Sequence, residues 1–196
     1  MYTTRTTLLE KIAAGDAIGW REFFDTYRRL VFAIARKSGI PDPDADDILQ
    51  KTMLSVFHEG KFLYRRETHG KFRTWFGGIV RHKIGDYYRE RRRSREIPVA
   101  DIPERIAPED FEALFLEEYR RHLLDLAAEA LKSRVSPEVF ETFSLCRSGR
   151  NDVEVARLLG VRSNTVTIRR RRCAEILNGI LRTLNEADPE LKLPPL

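Results

Sequence analysis

Apolar residues recur along most of this chain at the three- and four-residue spacing of a helix. Phe23, Phe24, Tyr27, Leu30, Val31, Ile34 and Ala35 form one stripe, which Gly39 and Pro41 bring to an end. Ile48, Leu49, Thr52, Met53, Val56 and Phe57 repeat the pattern as far as Gly60. Phe72, Trp75, Phe76, Ile79, Val80, Ile84, Tyr87 and Tyr88 give a third stripe. No segment alternates with period two for long enough to predict a sheet. Residues 8–93 therefore read as a bundle of about four helices around one core.

Between Glu96 and Asp110 the periodicity stops. Pro98, Pro103 and Pro108 recur among acidic residues, and each proline pushes its predecessor out of the helical region. A second helical set follows, with Phe115, Tyr119, Leu123, Leu124, Ala127 and Leu131 first, and then a helix opening at Pro137. The expected organisation is all-α: a first domain over 1–94, an acidic linker over 95–115 and a second domain over 116–196. The prolines beyond Asp188 predict an unpacked tail.

Composition changes this picture mainly through charge. The net charge is only +5, but it is unevenly spread. Residues 61–95 hold 12 basic and 3 acidic side chains, residues 96–130 hold 3 and 10, and residues 131–184 hold 11 and 5. Two basic blocks around an acidic one predict two surfaces for a polyanion. No apolar stretch approaches the ~20 residues of a membrane span, and Met1–Lys11 lacks the pattern of a signal peptide. Cys146 and Cys173 form no CxxC and have no histidine pair nearby, so no disulfide framework or zinc site is expected. These features predict a cytoplasmic protein without membrane insertion.

Residues 150–178 carry the first chemistry. Asn151-Asp152-Val153-Glu154 has the form of a capping box, Gly160 stands where a left-handed residue ends a helix, and Ser163 is placed to cap a second helix. Helix, glycine turn, helix is the helix-turn-helix pattern. Its second helix must present small polar or cationic residues at its N-terminal turn to base edges. Arg162, Ser163, Asn164, Thr165 and Thr167 meet that need. Arg169, Arg170, Arg171 and Arg172 follow, near the phosphates of the groove walls. Four successive residues cover every side of a helix, so at least one of them must turn toward the core near Val166 and Cys173.

Residues 58–95 interleave cations with aromatics: Phe62, Tyr64, Arg65, Arg66, His69, Lys71, Phe72, Arg73 and Trp75, then Arg81, His82, Lys83, Tyr87, Tyr88, Arg89, Arg91, Arg92, Arg93 and Arg95. Duplex phosphate needs charge alone, whereas unpaired bases also offer faces to stack on, at ~1–3 kcal/mol per base. A loop containing Gly60 and Gly70 could accept splayed bases. By their spacing Phe72, Trp75 and Phe76 belong mostly to the core, which leaves Phe62 and Tyr64 as the candidate stacking residues.

A third cluster, Asp42, Asp44, Asp46 and Asp47, has the alternation of a calcium loop but not its content. Asp47 stands where glycine is needed and Met53 where glutamate is needed. The carboxylates instead suit a helix N-terminus, with Asp47, Gln50, Lys51 and Glu59 facing a protein partner. No catalytic triad, phosphate loop or paired catalytic carboxylate stands out. His58, His69, His82 and His122 are scattered, so neither an enzyme nor a resident metal or cofactor is expected.

Together these residues resemble the bacterial RNA polymerase sigma factors of the extracytoplasmic-function (ECF) group. Ala45-Asp46-Asp47-Ile48-Leu49-Gln50 is similar to that family's core-binding motif. Phe72-Arg73-Thr74-Trp75-Phe76, with Asp86 and Arg89, resembles its promoter-melting, −10-reading helix, and Asp152 to Leu177 resembles its −35-reading helix-turn-helix. The resemblance implies a two-domain initiation factor partnered by core RNA polymerase and promoter DNA. Asp47 and Gln50 would touch the polymerase. Phe62, Tyr64, Arg73, Arg81, His82, Lys83, Arg89 and Arg92 would serve the single-stranded −10 element, and Arg162 to Thr167 with Arg169, Arg171 and Arg172 the duplex −35 element. Members of the group often answer to an anti-sigma protein. His82 replaces the family's usual Asn, and Gly77-Gly78 predicts a loosened helix, at ~1 kcal/mol for each glycine. The competing expectation is a conventional helix-turn-helix regulator of duplex operators, which needs no aromatic–cation mixture at 58–95.

Overall fold

The structure is a computed structural model and describes residues 5–58, 61–94 and 107–195. Glu59, Gly60 and residues 95–106, the larger part of the expected linker, lie outside the described residues. Among the described residues the fold is all-α apart from one minimal hairpin, and the chain divides into two compact units at His122–Leu123.

The first unit opens with α1 (Arg5–Ala13), α2 (Ala17–Lys37) and α3 (Asp42–Val56). Asp16 starts α2 by accepting from the Ile18 N–H at 2.9 Å, satisfying one of the amides the first turn leaves open. Helix α2 ends at Ser38 and Gly39, the latter at φ 81°, where a side chain would be strained. Pro41 turns the chain into α3, and Arg36 grips Asp42 with two nitrogens, at 2.6 and 2.7 Å, across that turn.

After α3 the backbone forms β1 (Phe57–His58) and β2 (Lys61–Phe62), antiparallel with Phe57 opposite Phe62. Two residues per strand are too few for a period-two pattern, so the hairpin that the sequence did not predict left no signal there. A single turn, α4 (Arg66–His69), leads through Gly70 to α5 (Phe72–Ser94).

Phe23, Tyr27, Phe72 and Phe76 form the centre of this unit, each at most 2 % exposed. Their rings meet at 4.6–6.2 Å, in tilted, stacked and edge-on pairs. Burying each such side chain contributes roughly 1.5–3 kcal/mol, so this quartet is a principal reason the unit holds. At the other end of α5, Asp44 of α3 accepts from the Tyr87 hydroxyl at 2.8 Å and from Arg91 at 2.7 Å. Burial first, and then that hydrogen bond, push the Tyr87 hydroxyl up to about 12.

Helix α6 (Pro108–Lys132) begins inside the stretch expected to be linker, and its first half belongs to the first unit. Phe111, Phe115 and Tyr119 stack in sequence along it at 6.1 and 6.0 Å, and Phe115 meets Phe76 edge-on at 6.4 Å. Lys37 pairs with the buried Glu118 carboxylate at 2.6 Å, and His122 lies 5.5 Å from the Tyr27 ring. The stripe that predicted the opening of a second domain is thus shared between the units.

The second unit comprises the rest of α6, α7 (Pro137–Arg147), α8 (Asp152–Leu159) and α9 (Ser163–Ala187). Val155, Ala156 and Val166 form a core against which Leu145, Cys146, Leu159 and Val161 pack. Cys173, Leu177 and Leu181 continue the buried stripe along α9.

The tail corrects an expectation: it is packed. Leu191 is fully buried and Leu193 nearly so. The Asn185 carboxamide donates to the Leu193 carbonyl at 3.0 Å and accepts from its N–H at 2.9 Å. The prolines that forbade a continuing helix did not prevent a 3-10 turn at Pro189–Leu191, which folds the chain back onto α9.

Among the described residues, no helix is long and apolar enough to cross a membrane, and no grouping of His, Cys, Asp and Glu could hold a metal ion.

Candidate nucleic-acid interface

In the second unit the helix-turn-helix is built by local chemistry. Asn151 Oδ1 accepts from the N–H groups of Val153 and Glu154 at 3.1 and 3.0 Å, and Glu154 Oε2 accepts from the Asn151 N–H at 3.1 Å. Both halves of the capping box are made. Gly160 closes α8 in the left-handed region, at φ 63° and ψ 31°.

The start of α9 differs from expectation. Its cap is Arg162, whose carbonyl accepts from the N–H groups of Thr165 and Val166 at 2.9 and 3.3 Å, so Ser163 is already the first helical residue. The consequence is geometric: Arg162, Ser163 and Asn164 occupy the cap and first turn, and all three are exposed. Thr165 is half-buried over fully buried Val166, and Thr167 is exposed.

The four arginines separate by partner. Arg169, half-buried, turns back toward α7 and donates to the Thr142 hydroxyl at 3.1 Å. It is the arginine that helix geometry required to approach the core. Arg170 reaches Asp152 at 3.2 Å, and Arg171 pairs along its own helix with Glu175 at 3.0 Å. Arg172 is exposed.

In the first unit, Phe62, Tyr64 and Trp75 are half-buried and make an aromatic wall with His69. Tyr64 lies 5.2 Å from Trp75 and 6.2 Å from Phe62, and Trp75 lies 5.6 Å from His69. The wall continues into the core, since Phe62 meets Phe23 at 5.8 Å. Tyr64 donates to the Gly70 carbonyl at 2.7 Å, and His69 Nδ1 accepts from the Arg65 N–H at 2.9 Å, so the loop between hairpin and α5 is tied into shape. Exposed Arg65 and Arg66 flank it.

Among the candidates around this wall, Arg73 is buried at 9 % exposure, a position that spacing alone did not reveal. Arg81, His82, Arg89 and Arg92 are exposed along α5, and Lys83 is half-buried. His82 and Arg89 converge on Asp86, His82 Nδ1 at 3.0 Å. Burial pushes the Asp86 carboxyl up, but the hydrogen bond from Arg89, with the charges of His82, Arg89 and Lys83, holds it below its ordinary value. Such a helix face is cationic but internally balanced at one point.

On α3, Asp47 and Gln50 are both exposed, and Lys51 pairs with Asp47 at 2.7 Å. That hydrogen bond raises the Lys51 pKa, although burial opposes it. Sequence reasoning missed Leu54. It is 70 % exposed, one turn beyond Gln50 and two beyond Asp47. Its signal was there: the spacing that placed the two polar residues on one outer face places this leucine with them.

Comparison with known proteins follows the same division. Residues 23–94 match the family described as Sigma-70 region 2, the segment that contains α3, the hairpin, the aromatic wall and α5. Two curated relatives, each named ECF RNA polymerase sigma factor SigM, come from Mycobacterium tuberculosis strains Erdman and H37Rv. Each is 27% identical over 178 residues, covering 91% of this chain and 85% of the relative. No solved structure matches the chain. The chain thus carries a match to Sigma-70 region 2 within its first unit and is similar to ECF RNA polymerase sigma factors along nearly its whole length.

Proposed function

We propose that this chain is a transcription initiation factor that binds core RNA polymerase and directs it to promoters. The observation that carries this reading is the presence in one chain of two differently built polyanion surfaces. One is an aromatic wall, Phe62, Tyr64 and Trp75, edged by cations; the other is a helix-turn-helix whose first turn, Arg162 to Asn164, is exposed. Stacking faces suit unpaired bases, and a helix N-terminus with short polar side chains suits a major groove.

On this reading the first unit melts and holds the −10 element on the non-template strand. Phe62 and Tyr64 offer ring faces, and Arg81, His82, Lys83, Arg89 and Arg92 hold the backbone, whereas Arg73 is buried. The second unit reads the −35 element as duplex. Arg162, Ser163, Asn164 and Thr165 meet base edges, Thr167 on the following turn is engaged by Asp152, and Arg171 and Arg172 meet phosphate. Arg169 braces α9 on α7 as it approaches the same backbone. Asp47 and Gln50, with Leu54 beside them, form the polymerase contact: a leucine in a polar rim is the arrangement that gives a protein interface its affinity. The protein acts in the cytoplasm, without catalysis of its own, and an anti-sigma protein that covers these surfaces would silence it.

The test is reconstitution. Core polymerase plus the purified chain should yield discrete run-off transcripts from genomic fragments, where core alone yields none. Silence with core, together with tight binding to a duplex operator by the chain alone, would assign it to the conventional regulators instead.

A further inference from the structure

Asp152 is the first residue of α8, yet its carboxylate works on α9. Its Oδ2 accepts from the Thr167 hydroxyl at 2.6 Å and from Arg170 Nη2 at 3.2 Å. Thr167 and Arg170 lie one turn apart on the face of α9 turned toward α8. Helix α8 does not need this carboxylate as its cap, because Asn151 and Glu154 already serve its open amides. The side chain is only 20 % exposed, less open than the Arg171–Glu175 pair on the outer face, at 82 and 65 %. A phosphate can break an exposed pair such as Arg171–Glu175 at little cost. Displacing Asp152 is harder, because two donors leave it together and a partly covered carboxylate would lose both bonds.

The effect on DNA reading follows from what an arginine beside the groove does. A free guanidinium adds affinity for any phosphate, whatever the base sequence, and so raises specific and non-specific binding alike. A free threonine hydroxyl serves as donor or acceptor to several bases.

We propose that Asp152 is a positioning residue for duplex recognition: it withholds Arg170 and the Thr167 hydroxyl from the DNA, leaving sequence choice to Arg162, Ser163 and Asn164 and keeping sequence-independent affinity low. The inference rests on the assignment of the helix-turn-helix as a duplex reader.

The experiment compares four full-length proteins: wild type, Arg170→Gln, Asp152→Asn and the double variant. Binding is followed by fluorescence anisotropy across a salt series. One probe is a random-sequence duplex, and the other is the duplex that the wild-type chain selects from a randomised library. Arg170→Gln alone should leave the salt dependence unchanged, since that guanidinium is already engaged. Asp152→Asn should steepen it by about one phosphate, a further tenfold or so in affinity for each tenfold change in salt. It should also narrow the gap between selected and random duplex. The double variant should return to the wild-type slope, the sign that the effect passes through Arg170.

A flattened slope for Arg170→Gln in the wild-type background would overturn the proposal, because Arg170 would then already be on phosphate. So would an Asp152→Asn protein with an unchanged slope that loses affinity equally for both duplexes, which is the signature of a merely structural role. Both results leave the duplex-reading assignment standing. Absence of any salt-dependent duplex binding in all four proteins would overturn that assignment, and the role of Asp152 with it.

Discussion

Gly77 and Phe115 are in close apposition: a Cβ added at residue 77 would stand 3.2 Å from two carbons of the Phe115 ring. Helix α5 runs unbroken through its glycine pair, from Phe72 to Ser94. Gly77 clears the space in which α6 lays an aromatic ring against Phe76.

Gly78 has no such neighbour within 4 Å. Replacing it with alanine should therefore stabilise the protein by up to about 1 kcal/mol, through helix propensity alone. Gly77→Ala should gain less than Gly78→Ala or lose stability, and Gly77→Leu should be clearly destabilising. Urea midpoints of the three variants check this; equal gains for the two alanine variants would contradict the role assigned to the ring.

The capping box makes a second prediction. Asn151→Ala removes the acceptor for two N–H groups and should cost about 1 kcal/mol of stability. Glu154→Ala should cost less, since it frees only one donor. Thermal unfolding of the full chain gives both values, and unaltered unfolding in both variants would show that the α8 start is held by packing alone.

DNA contacts should separate by type. Arg172→Ala is expected to weaken binding to all duplexes and to lower the salt slope by about one. Asn164→Ala should change the preferred sequence while leaving the slope unaltered. Selection from a randomised duplex library reads the second effect, and an unchanged preference would remove Asn164 from the reading turn.

Polymerase contact is tested on α3. Asp47→Ala with Gln50→Ala should weaken binding to core about tenfold, and Leu54→Ala should weaken it as well, since it removes apolar area from the centre of the patch. Competition for core against the wild-type chain measures both. Duplex binding by the same variants should be unaltered.

Alkaline pH should expose the Asp44–Tyr87 contact. The Tyr87 hydroxyl is pushed up to about 12, whereas in the unfolded chain it ionises near its ordinary value of about 10. The folded state keeps a proton that the unfolded state gives up, so this contribution to stability is complete below about pH 10 and is lost as the pH rises toward 12. The difference in urea midpoint between wild type and Tyr87→Phe should shrink over that interval.

Much of this was legible in the sequence because it is written locally. The Asn151–Glu154 box, the left-handed Gly160 and the apolar stripes of α2, α3 and α5 depend on residues a few positions apart. What could not be read depends on distant partners. Arg73 and Arg92 are both arginines of α5, and only packing against other elements makes the first buried and the second exposed. The cap of α9 fell on Arg162 because its carbonyl, not the Ser163 hydroxyl, met the first free amides. Leu191 and Leu193 gave too short a pattern to outweigh three prolines, yet they are buried against the rest of the second unit. Asp152 looked like an ordinary first-turn carboxylate until α9 was in place beside it.

The seat of the tail reaches further than its few residues suggest. An α-helix rises 1.5 Å per residue, so the 25 residues of α9 make a rod of about 37 Å. The turn proposed to read DNA is at one end, and Asn185, with its paired bonds to Leu193, is near the other. Rolling such a rod about its axis by one residue would turn Asn164 by about 100°. The tail folds back on α9 itself and so covers the end of that helix farthest from Asn164.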